Sequence, residues 1–480
     1  LRAEWHLDVT RLGPLFAAGL FGLMLGSFLV GPLADRVGRK AMLVASMAGA
    51  VLPRLGLAQN EPGLGELLPA RLASQGVGYS LAEVQGSQVR VHHAGLARRE
   101  PAEPIGDDSL YEIGSITKTF TALLLADAVV RKELALTDAV EPSLPDKLSL
   151  RDAAGEPLRW IDLATHRSGL PRLAANMLAR DPADPYADYG AEHLTLFLRG
   201  WKPTRRRGEV FAYSNLGFGL LGQALAWRAG LSYDMLLSQR VLQPLALDGL
   251  VRQPTARQRR VTGHDAQGRP VADWHFTDVH AGAGALLGTA ASLARYAQAA
   301  LGVFDHPLKE AFALCLRRHA DGGAPINPIG LAWVLAPLNG RTVFNHDGAT
   351  FGCSSSMWLD PQRQRAALVL ANAAVKVSDL ALHVLDRSVP AEDLTSTRQA
   401  ARSVAASEML PLAGVYALTP QFKLTIRAQE DRLFAQATGQ GEFELFGKGG
   451  RVFFARVTPL EIAFDGEVGP PQALTLKQGG

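Results

Sequence analysis

The chain is poor in cysteine, in metal-ligand spacings and in runs of basic charge, and each shortage removes a class of function. Its 480 residues hold two cysteines, Cys315 and Cys353, far apart and with no Cys-x-x-Cys pair. That argues against a cysteine-built zinc site and leaves at most one disulfide. The twelve histidines form no His-x-x-x-His pair enclosing a carboxylate, so no metal signature is read and no cofactor is expected. Lys and Arg number 49 against 46 Asp and Glu. No long basic run accompanies that near balance, so nucleic acid is not an expected partner. Charged residues make up only 20% of the chain and apolar ones 47%, the composition of a folded chain and not of a disordered one. The length suits two or three structural units.

Charge is absent altogether from residues 12–34, a run of Leu, Phe, Gly, Ala and Val. It is long enough to cross a bilayer as a helix, and its glycines (Gly19, Gly22, Gly26, Gly31) suit close helix packing there. With the basic cluster Asp35-Arg36-Val37-Gly38-Arg39-Lys40 and the apolar run 41–52, this segment resembles a fragment of a major facilitator transporter. A second reading takes Arg39-Lys40 as a basic lead, 41–52 as the apolar core of a signal peptide, and Gly56-Leu57-Ala58 as a cleavage site before Gln59. Either reading implies a body that is periplasmic or secreted, membrane-associated if residues 1–58 remain attached.

The body, residues 59–389, opens with alternating segments at 77–84 and 88–95 that predict a two-stranded hairpin. Three short stretches then carry candidate chemistry. In Gly114-Ser115-Ile116-Thr117-Lys118 a Ser and a Lys stand three residues apart where an extended segment turns into an apolar helix. Positions i and i+3 share a helix face, so the Lys118 amine can reach the Ser115 hydroxyl. Burial of Phe120, Leu123, Leu124 and Ala128 would supply the low dielectric that keeps such a lysine neutral and basic. In Phe211-Ala212-Tyr213-Ser214-Asn215, Tyr213 is a general base or acid whose pKa a nearby ammonium would lower, and Asn215 could hold a substrate carbonyl or the lysine. Ser214 or Asn215 could equally cap the helix that follows. In Asn345-His346-Asp347-Gly348-Ala349, Gly348 allows close backbone approach, and the Ala349 N–H could join that of Ser115 in an oxyanion hole.

Ser-x-x-Lys, then Tyr-x-Asn, then His-x-Gly, in this order, resemble the serine β-lactamase and penicillin-binding-protein superfamily, in particular its class C-like branch. Ala164-Thr165-His166-Arg167-Ser168-Gly169-Leu170-Pro171 and the stretch 280–295 support the resemblance. It implies an α/β sandwich, an antiparallel sheet flanked by helices, with a mainly helical subdomain holding Tyr213. It also implies roles: Ser115 as nucleophile, Lys118 as its base, Tyr213 as proton shuttle, Asn215 orienting Lys118 and the acyl amide, and His346, Gly348 and Ala349 lining the site. No metal is implied. The partner would be a small-molecule ester, peptide or β-lactam.

One departure bears on substrate. The family usually has Lys-Thr-Gly where this chain has His346-Asp347-Gly348, and that lysine helps to hold a substrate carboxylate. Its loss, and the added Asp347 charge, favour ester hydrolysis over D-alanyl-peptide or β-lactam cleavage. Beyond a linker at 390–411, residues 412–480 carry short alternating runs at 423–427, 432–436, 442–446, 452–455 and 460–464. These predict a small antiparallel β module, which resembles the lipocalin-like module appended to relatives of this branch.

Overall fold

The computed structural model describes residues 67–478, apart from breaks at 70, 73–76, 146–147, 256–257, 324–326, 392–401, 403, 418–422, 430–431, 438–441, 456–459 and 467. The expected membrane span, signal peptide and transporter-like fragment all lie before residue 67, outside the described residues. Among the described residues no helix is long and apolar enough to cross a membrane.

Two seven-stranded antiparallel sheets account for most of the strand structure. The first runs in the order β3-β2-β1-β11-β10-β9-β8. Its strands are β1 (Gly78–Gln85), β2 (Gln88–Arg98), β3 (Glu103–Pro104), β8 (Val334–Leu338), β9 (Arg341–Ala349), β10 (Ser354–Asp360) and β11 (Arg365–Ala371). The hairpin read from sequence is present, with Gln85 opposite Gln88. The first and last parts of the body meet at the centre, where β1 pairs with β11, Tyr79 opposite Ala371 and Gln85 opposite Arg365.

Both central strands are buried on both faces, and their period of two divides the apolar residues between two cores. Ala82, Val84, Ala366, Leu368 and Leu370 face the larger core. Tyr79, Leu81, Ala367, Val369 and Ala371 face a smaller one that helix Ser378–Leu385 closes with Leu380, Ala381 and Val384. The larger core is shared with helices α1 (Thr117–Val130), α2 (Asn215–Ala229), α3 (Asp278–Gly284) and α4 (Ala290–Ala300). A short strand, β4 (Ser109–Glu112), leads into α1 and pairs with the two-residue strand Leu287–Gly288. Cys315 and Cys353 are both buried free thiols, so they do not pair.

The C-terminal sheet is a meander in which each strand pairs with the next, from Gly414–Ala417 to Leu474–Gln478. The five alternating runs read from sequence are its middle strands, and one more strand is added at each end. Its core is its own, built on residues such as Ile426, Leu433, Phe453 and Ile462. Met409 and Leu412 also pack into it, so this unit starts within the stretch expected to be a linker.

Candidate active site

The chain reaches the candidate nucleophile through a tightly fixed turn. Tyr111 on β4 is fully buried, its hydroxyl 2.9 Å from Ser80 Oγ. Ile113 N–H donates to the Leu286 carbonyl at 3.1 Å. Gly114 then takes φ +49°, a left-handed turn that glycine adopts without strain, and a 3-10 turn, Gly114–Ile116, runs into α1. Every residue of α1 from Thr117 to Ala128 is buried. An all-round buried helix is rarer than an amphipathic one, and it carries Lys118 into the core with no exposed surface.

Lys118 Nζ lies 2.9 Å from Ser115 Oγ and 2.6 Å from the Ala283 carbonyl at the end of α3. Burial first, and the positive charge of Arg172 second, hold the Lys118 amine well below the usual lysine range. A neutral amine has two N–H donors and one lone pair. It can therefore donate to Ala283 while its lone pair accepts the Ser115 proton.

Tyr213 stands just before α2, whose N-cap is Ser214, with Ser214 Oγ accepting from Gly217 N–H at 2.8 Å. The capping reading of Ser214 is thus realised. Tyr213 is hydrogen-bonded to Ser115, and burial pushes its phenol up to about 12. This corrects the sequence-based expectation of a lowered pKa: burial outweighs the lowering by the Ser115 hydrogen bond and by the Arg172 charge. The Tyr213 phenol is therefore protonated at neutral pH. Its ring stacks on buried His166 at 4.3 Å, and His166 Nδ1 accepts from Ser214 N–H at 3.1 Å.

Asn215 goes elsewhere than expected. Its Nδ2 donates to the Tyr186 hydroxyl at 2.9 Å, and the Ala283 carbonyl takes the place beside Lys118 Nζ that sequence reasoning gave to Asn215. Its Oδ1 is buried without a partner among the described residues, an unsatisfied acceptor.

The edge of the site is β9. A Cβ on Gly348 would lie 2.1 Å from the Ile113 carbonyl, 2.4 Å from Ser355 Oγ and 3.0 Å from Ser115 N, and one on Gly114 would lie 2.7 Å from Ala349 N. Glycine at both positions is what lets β9 lie against the nucleophile's turn, with the Ser115 and Ala349 N–H groups at one junction. Ser355 Oγ donates to the Ile113 carbonyl at 2.8 Å and ties β10 to the same turn.

His346 is 6% exposed, with Nδ1 2.8 Å from the Asp347 carbonyl. Burial, then the nearby Lys118, press its imidazole down to about 3, so it is neutral. The Asp347 carboxylate does not sit in the site itself, as the sequence suggested it would, though its charge still reaches Tyr213. Strand alternation points it to the opposite face of β9 from Gly348. There its Oδ1 accepts from Ser356 Oγ at 2.6 Å and from Ser378 Oγ at 3.1 Å.

Residues 64–389 match the β-lactamase family model. The chain belongs to the β-lactamase family. A β-lactamase of Providencia stuartii is 30% identical over 197 residues, covering 40% of this chain and 48% of the relative. A D-alanyl-D-alanine-carboxypeptidase/endopeptidase AmpH of Escherichia coli K12 is 27% identical over 279 residues, covering 55% of this chain and 71% of the relative. The chain thus spans about half the length of the first curated relatives it matches. Among solved structures, a class C β-lactamase from Rhodobacter sphaeroides aligns at TM-score 0.55 and 24% identity, over 64% of this chain and 92% of that one. This likeness shows a common fold. In this β-lactamase fold, the Ala283 carbonyl, the His166 ring and Arg172 were the parts of the site that sequence reasoning passed over. His166 lay inside a motif already noted, and Arg172 directly follows it.

Proposed function

We propose that the chain is a serine hydrolase of small carboxylic esters, working through an acyl-enzyme on Ser115. The observation that carries this reading is Ser115 Oγ set 2.9 Å from an amine whose burial favours its unprotonated form, and hydrogen-bonded to a protonated phenol. Lys118 takes the Ser115 proton as Oγ attacks the ester carbonyl. The oxyanion is received by the Ser115 and Ala349 N–H groups. Tyr213 gives its proton to the leaving alkoxide and recovers one from the Lys118 ammonium. Water then attacks the acyl carbonyl, its proton passes to the tyrosine–lysine pair, and Ser115 is released.

The neutral, buried His346 leaves β9 without the cation the family usually has there, and an ester needs no carboxylate grip on that strand. A second reading, hydrolysis of a D-alanyl peptide or β-lactam amide, draws support from the likeness to AmpH and from the unsatisfied Asn215 Oδ1 acceptor. The test is turnover of p-nitrophenyl butyrate, a chromogenic cephalosporin and a D-Ala-D-Ala peptide by the chain and by Ser115→Ala. Ester turnover that Ser115→Ala abolishes, with a fluorophosphonate adduct on Ser115, is the expected result. Faster turnover of the peptide or cephalosporin than of the ester would favour the second reading. No turnover and no adduct would overturn both.

A further inference from the structure

Arg172 is an exposed basic side chain set over the ring of Tyr213. Its backbone carbonyl accepts from Asn215 N–H at 3.0 Å and Leu216 N–H at 3.1 Å, so the loop carrying it is pinned to the start of α2. Its guanidinium carbon sits 5.3 Å from the centre of the Tyr213 ring. Its charge is felt by Lys118, His166, Tyr186 and Tyr213 alike.

Several arginines of this chain are paired with carboxylates. Arg252 pairs with Asp234 and Asp278, Arg259 with Glu103 and Asp108, and Arg341 with Asp360 and Asp386. Arg172 forms no ion pair or side-chain hydrogen bond among the described residues. Lys376, the cation near β9, faces the Asp347 carboxylate. An exposed guanidinium fixed over a catalytic ring and left without a carboxylate is a fork with one side empty, and a carboxylate matches it bidentately. Beside it, Tyr186 stacks on Phe276 at 4.5 Å and lies 5.2 Å from Trp274, an aromatic wall suited to the apolar part of the same molecule.

We propose that Arg172 is the anion anchor of this site, replacing the lysine missing from β9, and that the substrate carries a carboxylate a few atoms from the scissile carbonyl. This rests on the acyl-enzyme reading above and names its substrate class. The carboxylate could sit on the acyl side or on the leaving group, and two probes separate these sources.

The experiment compares the full chain with Arg172→Gln and Arg172→Lys on three substrates. These are p-nitrophenyl butyrate, the mono-p-nitrophenyl ester of glutaric acid (acyl-side carboxylate), and a D-Ala-D-Ala peptide (leaving-side carboxylate). Arg172→Gln is expected to lower the ratio of kcat/KM for one carboxylated substrate to that for the butyrate by about 10- to 100-fold, mainly through KM, as loss of a charge-assisted pair predicts. Arg172→Lys recovers part of that ratio. The assignment is overturned if Arg172→Gln slows all substrates equally, which would mean that it only positions Tyr213, or if the wild type shows no preference for either carboxylated substrate. Protection of Ser115 from a fluorophosphonate by free glutarate gives a readout that needs no turnover. Labelling without turnover sinks the ester reading, while glutarate protection lost in Arg172→Gln upholds the anchor. Equal protection of both proteins, or of neither, sinks the anchor.

Discussion

Lys118 and Arg172 approach the ring of Tyr213 to 4.9 Å and 5.3 Å, so two basic side chains share one aromatic neighbour. Lys118 has no exposed surface, belongs to a helix buried on every side and touches a hydroxyl and a carbonyl. Arg172 is exposed at the end of a loop. Desolvation strips the proton from an amine and makes it a base, whereas a guanidinium in contact with water keeps its charge under all ordinary conditions. The difference teaches that surroundings, and not the sign of the free residue, decide what a cation does here. It also explains how they cooperate: the exposed charge helps to keep the buried amine neutral.

The sharpest way to break this comparison is to make position 118 permanently charged. Lys118→Arg is expected to cost about 10³- to 10⁴-fold in kcat/KM on p-nitrophenyl butyrate, because a guanidinium cannot accept the Ser115 proton. Activity within tenfold of wild type would show that Lys118 is not the base. Lys118→Met is expected to lose as much activity yet gain about 1–2 kcal/mol in thermal unfolding, since it removes a polar group held in the core. The sign follows from linkage. Between the lowered pKa of folded Lys118 and its ordinary range, the unfolded chain binds more protons than the folded one. Wild-type stability therefore rises with pH across that window, and the Met variant lacks this slope.

Next in size is Gly348→Ala, which leaves both cations in place. The added Cβ would press on the Ile113 carbonyl and Ser355 Oγ, and about 10²- to 10³-fold in kcat should go with the displaced N–H pair. A variant with unchanged kcat would place the oxyanion elsewhere. Tyr213→Phe keeps the shared ring and removes only its proton, with an expected loss of about 10²-fold measured on an ester with a poor leaving group. A smaller loss on p-nitrophenyl esters, whose leaving group needs little protonation, would sharpen the assignment of Tyr213 as acid.

The smallest effect tests the coupling between the two cations. The ester rate of the wild type is lost as pH falls through the Lys118 pKa, because the base becomes protonated. Arg172 depresses that pKa, so Arg172→Gln should move the acid limb of the kcat/KM profile to higher pH. A limb that stays in place would mean that the two charges do not feel each other.

Some of this site could be read before any coordinates. Ser115 and Lys118 are three residues apart on one helix, and local geometry alone brings them together. The face of Asp347 was equally legible: once Gly348 is assigned to the site, a period of two turns Asp347 away. The partner of Asn215 was not legible, because its distance from Tyr186 depends on how a loop and a helix pack. Nor was the rise in the Tyr213 pKa, which follows from burial that no short motif encodes.

Spacings of two to a few residues already predicted the β1–β2 hairpin, the approach of Lys118 to Ser115 and the β module at the C-terminal end. Folding added the complete burial of Lys118, the raised pKa of Tyr213, the neutral imidazole of His346 and the place of Arg172 beside the Tyr213 ring. The physical reason is common to all four. Charge state and reach depend on the dielectric and on neighbours from distant parts of the chain, and these exist only once the chain has folded.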